Sequence, residues 1–213
     1  MKEVFAPGCA LYLYKRHLID NMLEFLGDKE EYSTCCHHKP DVAEPTKIIN
    51  VCAGCDRRYG SLYDDVSTVS FWEIVAESED FPFPDYGGVT MTILDACPTR
   101  KNVKVHKAVR KLMERMNINL IEPERTGVNG KCCGDTYYGK LPKEDVLAKM
   151  RERADEMPAE NVVVYCVSCI KSMANGGKTP RYLVDLLFGE FTLAGTTDPD
   201  EWHSQLEDFI KVH

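Results

Sequence analysis

The sequence predicts an α/β fold of two pseudo-repeated modules. Each is a small, mostly parallel sheet flanked by helices, with a metal site at the C-terminal ends of the strands. Three observations predict it. The ten cysteines occur twice in one order. The first set is Cys9, the adjacent pair Cys35 and Cys36, then Cys52 and Cys55; the second is Cys97, the pair Cys132 and Cys133, then Cys166 and Cys169. Short apolar or β-branched runs lead into these cysteines, and amphipathic stretches at helical spacing follow them.

The elements follow in order. Residues 3–6 before Cys9 and 91–94 before Cys97 read as strands. Residues 11–26 carry Leu11, Leu18, Met22 and Phe25 on one helical face, and 103–116 carry Val105, Val109, Leu112 and Met116. Each Cys-Cys then falls in a polar loop. Residues 47–51 run into Cys52 and 161–165 into Cys166, and both read as strands buried on two faces, as in a parallel sheet. A helix is expected after each Cys-x-x-Cys. Residues 70–77 and 180–190 read as matching helices. The Pro/Gly-rich stretch at 81–88 marks the joint, giving modules 1–86 and 87–213. The second module gains a helix at 143–157, and the last helix spans 199–212.

Composition excludes several classes. The chain has 213 residues, 44% of them hydrophobic, and a formal net charge of −8. That balance argues against nucleic acid and against an anionic membrane surface, since both need a basic face. No apolar run reaches the length of about 20 residues that a membrane helix requires. Residues 5–9 faintly resemble a lipoprotein cleavage site but lack the basic start and apolar run of a leader. A cytoplasmic protein is therefore expected, free or within a larger complex. In that compartment disulfides are rare, and many cysteines read first as metal ligands.

The chemistry suits metal. Ligand sites in open parallel sheets lie beyond the C-terminal strand ends. A Cys-x-x-Cys across a strand-to-helix turn aims both sulfurs to one side, where helix N–H groups stabilise thiolates. A structural zinc ion takes four ligands, and so does an ordinary cubane cluster. Five cysteines per set suggest a group with more coordination positions.

With both quintets in view, the chain resembles the cysteine-rich CCG-domain family, of the kind found in the disulfide-cleaving chain of heterodisulfide reductase. That family repeats Cys, Cys-Cys-Gly, Cys-x-x-Cys twice. The resemblance implies that Cys9, Cys35, Cys36, Cys52 and Cys55 hold one non-cubane 4Fe-4S cluster, and Cys97, Cys132, Cys133, Cys166 and Cys169 a second. It also admits zinc at one site. It implies a disulfide or heterodisulfide reductase subunit that receives electrons from an iron–sulfur or flavoprotein partner and takes a small disulfide as substrate. A non-catalytic electron-transfer or adaptor subunit of an anaerobic oxidoreductase complex is the alternative, and a zinc-binding interaction module the third.

The second set follows the family pattern, with 34 residues between Cys97 and its pair and 32 between the pair and Cys166. The first departs, with 25 residues before Cys35, only 15 between the pair and Cys52, and His37-His38 where Gly is expected. The missing segment is assigned to a loop and helix around the first site. His37 and His38 read first as polar loop residues, and second as proton donors to a departing thiolate. Tyr138 reads as packing or cavity wall. Arg57, Arg58, Arg100, Lys101 and Lys171 read as helix-surface charges or as partners for clusters or substrate carboxylates. Gly176-Gly177-Lys178-Thr179 lacks the spacing of a phosphate loop and reads as a turn.

Overall fold

A computed structural model describes residues 2–27, 29–32, 36–38, 42, 45–64 and 66–213. The chain divides into two compact units. One comprises Met1–Phe81 together with Ser204–His213, the other Pro82–His203.

The first unit holds a four-stranded sheet of β1 (Lys2–Ala6), β2 (Glu30–Glu31), β3 (Thr46–Asn50) and β4 (Val66–Ser70). Its order is β2-β1-β3-β4 and every pairing is parallel. The second unit repeats it with β5 (Thr90–Leu94), β6 (Asn119–Ile121), β7 (Asn161–Val164) and β8 (Thr179–Tyr182), in the order β6-β5-β7-β8, again parallel throughout. The duplication of the cysteines is thus a duplication of topology. Parallel neighbours need crossovers, and helices supply them.

In the first unit those helices are α1 (Cys9–Tyr14), α2 (Arg16–Leu26), α3 (Ala53–Leu62) and α4 (Phe71–Glu77). In the second they are α5 (Val103–Arg115), α6 (Lys143–Asp155), α7 (Val167–Asn175) and α8 (Leu183–Leu187), and the chain closes with α9 (Pro199–Val212). The helix expected over 11–26 is broken at Lys15, whose extended backbone (φ −154°, ψ 96°) separates α1 from α2. β4 and β8 were not expected; only helices over 70–77 and 180–190 were, and these overlap the end of β4 and most of β8. Residues 70–77 and 180–190 each begin by completing a strand, and α4 and α8 follow at once. Pro180 tolerates this because β8 is an edge strand with one neighbour, so its missing N–H need not serve a second ladder.

The central strands are buried on both faces. Met91, Thr92, Ile93 and Leu94 of β5 are all buried, as are Val162, Val163 and Val164 of β7, and this explains their continuous apolar runs. In the first unit Phe5, Phe25, Phe71 and Phe81 form a chain of tilted and edge-to-face ring contacts, with centroids 5.1–6.2 Å apart. Such pairs contribute beyond their buried area. α6 has no counterpart among the described residues of the first unit; after the short turn Cys36–His38 the next described element is β3. Among the described residues no helix is long and apolar enough to cross a membrane.

Candidate functional site

A strand order of this kind reverses direction between its two central strands, and that reversal opens a crevice at their C-terminal ends. Six of the cysteines sit at those ends. Cys9 opens α1 directly after β1, and Cys97 opens a short turn after β5. Cys52 and Cys166 are the N-cap residues of α3 and α7, which places Cys55 and Cys169 in the first helical turn.

In the first unit Cys9, Cys36, Cys52 and Cys55 line one cavity of about 570 Å³, within the usual range for small-molecule sites. Cys35 lies outside the described residues. The Cys36 and Cys55 sulfurs are 3.6 Å apart. Hydrogen bonds to Cys36 and Cys52, with burial added, push the Cys55 thiol up. Gly8 makes the approach possible. Its φ is +88°, and a Cβ there would lie 3.0 Å from Cys52 Cβ and 3.2 Å from Cys55 Sγ. The cluster is covered from an unexpected direction. Leu206, Phe209 and Ile210 of α9 pack against the buried cluster that contains Cys9, Cys36, Cys55 and Tyr59. His38 Nε2–H donates to the Ile210 carbonyl in the last turn of α9, where carbonyls lack helical partners. His37 lines the cavity with Arg57 and Arg58, and Arg58 Nε donates to the Cys36 carbonyl at 2.9 Å.

In the second unit the five cysteines act on one another electrostatically: Cys97 and Cys133 on Cys132, Cys133 on Cys169, and Cys166 on Cys97 and Cys169. Cys132 first and then burial push the Cys97 thiol up. Cys132 is pulled down, because Cys133 and Cys97 both stabilise its thiolate. Thr136 Oγ1 donates to its sulfur at 2.9 Å and the Gly134 N–H at 3.4 Å. Cys133 and Cys169 are pushed up by their neighbours. Among the described residues no three His, Cys, Asp or Glu side chains are arranged to hold a metal ion.

Gly134 of the Cys-Cys-Gly has a structural reason. Its φ is +112°, and a Cβ would stand 2.7 Å from Met150 Cγ and 2.9 Å from the Met150 backbone nitrogen on α6. The described residues of the first unit hold no such helix to accommodate, and His37 occupies that place. Among the described residues only Asn117 combines a side chain with positive φ, so His37 is not in the glycine conformation.

A polar network behind the second set was not foreseen from the sequence. Asp95 is buried and accepts two bonds from Arg110 at 2.7 and 2.8 Å, one from Tyr165 Oη at 2.8 Å and one from the Gly127 N–H at 2.7 Å. Tyr165 Oη also meets Thr99 Oγ1 at 3.0 Å, which meets His106 Nε2 at 3.1 Å. Burial alone would push the Asp95 carboxyl up, but Arg110, Gly127 and Tyr165 outweigh it and hold it below the usual carboxylate range. The network joins the residues beside Cys97 and Cys166 to the loop that precedes Cys132. Its only signal was an acid and a tyrosine at strand ends just before cysteines. Pro7 and Val51 stand at the corresponding places of the first unit.

Other expectations resolve individually. Lys171 is buried rather than on a helix surface; its Nζ bonds the Ala194 carbonyl and lies 5.2 Å from the Trp202 ring. Tyr138 stacks on His203 at 3.8 Å, and His203 meets Asp135 at 3.0 Å. Arg100 donates to the Gly130 carbonyl at 2.8 and 3.1 Å, which ties the segment after Cys97 to the approach to Cys132. Comparison with protein-family models returns no match, and comparison with curated proteins returns none either.

Proposed function

We propose that this chain is an iron–sulfur redox subunit that reduces a small disulfide with electrons from a partner subunit. The observation that carries the reading is the gathering of five cysteines in one unit, Cys97, Cys166 and Cys169 just beyond the ends of β5 and β7 and Cys132 and Cys133 on a loop that acts on them electrostatically. Its donors are all sulfur and exceed the four that a single ion or a cubane takes, so they fit a polynuclear iron–sulfur group better than one zinc ion. The same chemistry is proposed for Cys9, Cys35, Cys36, Cys52 and Cys55.

Bound clusters would supply one-electron steps, matched to a partner that delivers electrons singly. The overall change is R–S–S–R′ + 2 e⁻ + 2 H⁺ → RSH + R′SH: the S–S bond breaks, two S–H bonds form, and the partner subunit is oxidised. The chain's own residues hold the thiolate ligands, exclude water through the apolar cover of Leu206, Phe209 and Ile210, and supply donors at the rim. Gly134 N–H and Thr136 Oγ1 favour the thiolate form of Cys132.

The test is metal and sulfide analysis of protein purified without oxygen. About eight irons per chain with acid-labile sulfide are expected for two four-iron groups. Cys133→Ser should remove one group and leave the other. Zinc without sulfide overturns the reading in favour of an interaction module. Two intact clusters without turnover of any disulfide by reduced viologen favour an electron-transfer subunit instead.

A further inference from the structure

We infer that a cavity beside Cys132 is a binding site for an oxyanion, and that it takes the anionic end of a small disulfide substrate. The second half of this inference rests on the function proposed above. The cavity measures about 460 Å³ and lies within the second unit. Cys132 forms part of its wall, with Arg100, Lys131, Lys140, Lys149 and Arg153 as its cations.

Charge singles it out. The chain as a whole is at −8, yet these five cations face only two carboxylates in the wall, Glu152 and Glu156. Internal pairing does not exhaust them. Lys131 is 2.6 Å and Arg153 Nη1 2.5 Å from Glu156, and Lys149 is 2.7 Å from Glu152. Arg100 spends its bonds on a neutral carbonyl, that of Gly130. Lys140 makes no ion pair among the described residues.

Arg153 belongs to the same wall. It is only 3% exposed, and its Nη1 and Nη2 are held by Glu156 and the Arg125 carbonyl, so it is fixed there as a buried positive charge. An oxyanion such as carboxylate, sulfonate or phosphate is the acceptor that guanidinium matches best. Thr136 and Tyr137 supply hydroxyls at the rim. A ligand anchored there brings the rest of its length to Cys132.

Calorimetric titration of the anaerobically purified full chain tests this with three probes: inorganic phosphate, dithiodiglycolate (a dianionic disulfide) and cystamine (a dicationic one). Phosphate and dithiodiglycolate should bind saturably, compete with each other, and weaken with salt; cystamine should not bind. Lys140 is exposed, so Lys140→Gln should fold normally and weaken both anions by roughly two- to fivefold, the range for one solvent-exposed ion pair. Lys140→Glu should weaken them further. Arg153→Gln probes the buried anchor, and if it does not fold the two Lys140 variants decide.

Absence of saturable binding by either anion, or Lys140 variants with wild-type affinity, overturns the site. Phosphate binding without dithiodiglycolate binding keeps the oxyanion site and removes the disulfide from it. Iron and sulfide measured on the same sample separate the two claims. Clusters without anion binding overturn this inference alone, and anion binding without clusters overturns the proposed function and the disulfide half of the inference while keeping the oxyanion site.

Discussion

Replacing Gly134 with alanine should destabilise the second unit severely, and the cost can be worked from the geometry. Two effects act. A side chain at φ +112° is forced into a sparsely populated backbone region, at about 1–3 kcal/mol. The new Cβ would also lie 2.7 Å from Met150 Cγ, 2.9 Å from Met150 N and 3.0 Å from Met150 Cα. The Cγ can swing away, because a methionine side chain is flexible. The nitrogen and Cα belong to α6 and move only with the helix, so overpacking adds about 1–3 kcal/mol. The total, about 2–6 kcal/mol, is a large share of a typical domain stability. Urea unfolding of wild type and variant at equal metal content measures it. Met150→Ala added to Gly134→Ala should recover less than about 1 kcal/mol, since it removes only the flexible contact. His37→Gly, at the matching place in the first unit, should change stability by about 0.5 kcal/mol or less. A Gly134→Ala loss below about 1 kcal/mol, or full rescue by Met150→Ala, would refute the reasoning.

Asp95→Asn removes the buried carboxylate that Arg110, Tyr165 and the Gly127 N–H share, leaving Arg110 with Glu122 as its ion-pair partner, and should cost about 1–3 kcal/mol; thermal unfolding near neutral pH checks it. Because the folded Asp95 carboxyl is depressed, its stabilisation is present above the unfolded value of about 3.9 and is lost as pH falls through the folded value. The wild type should therefore lose stability below about pH 4 more steeply than Asp95→Asn, and parallel acid unfolding curves would count against the network. Deleting residues 204–213 uncovers Cys9, Cys36 and Cys55, so in metal-free protein their alkylation should quicken by about tenfold or more while that of Cys133 and Cys169 holds, on the principle that access and thiolate fraction set thiol reactivity. Unchanged rates at Cys36 and Cys55, read by mass spectrometry, would mean that α9 does not shield them.

Much of the fold was legible because its signals are local. The apolar runs before Cys52 and Cys166 mark strands buried on two faces, and helical spacing located α5, α6 and α9 almost to the residue. β4 and β8 were missed because Val66–Ser70 and Thr179–Tyr182 are short and polar, and only the ladder beside β3 or β7 makes them strands. The cysteines of the candidate site could be named from their order alone. The Asp95 network could not, since its members lie up to 70 residues apart and hydrogen-bond geometry leaves no trace in spacing.

By itself the sequence determined the duplication, the ten sulfurs, the place of Cys9, Cys52, Cys55, Cys97, Cys166 and Cys169 at strand ends and the inequality of the two sets. Adjacency along the chain carries that information, because a strand, a turn and a helix start are each built from a few consecutive residues. Tertiary structure decided what the inequality means. The second set is backed by Asp95 and Arg110 and covered by α6, so that Gly134 is required. The first set has no such helix among its described residues and is covered instead by the last turns of α9. Residues more than 100 positions apart cover one another there because apolar surface is buried by whatever element reaches it, and such reach depends on the assembled fold rather than on chain order.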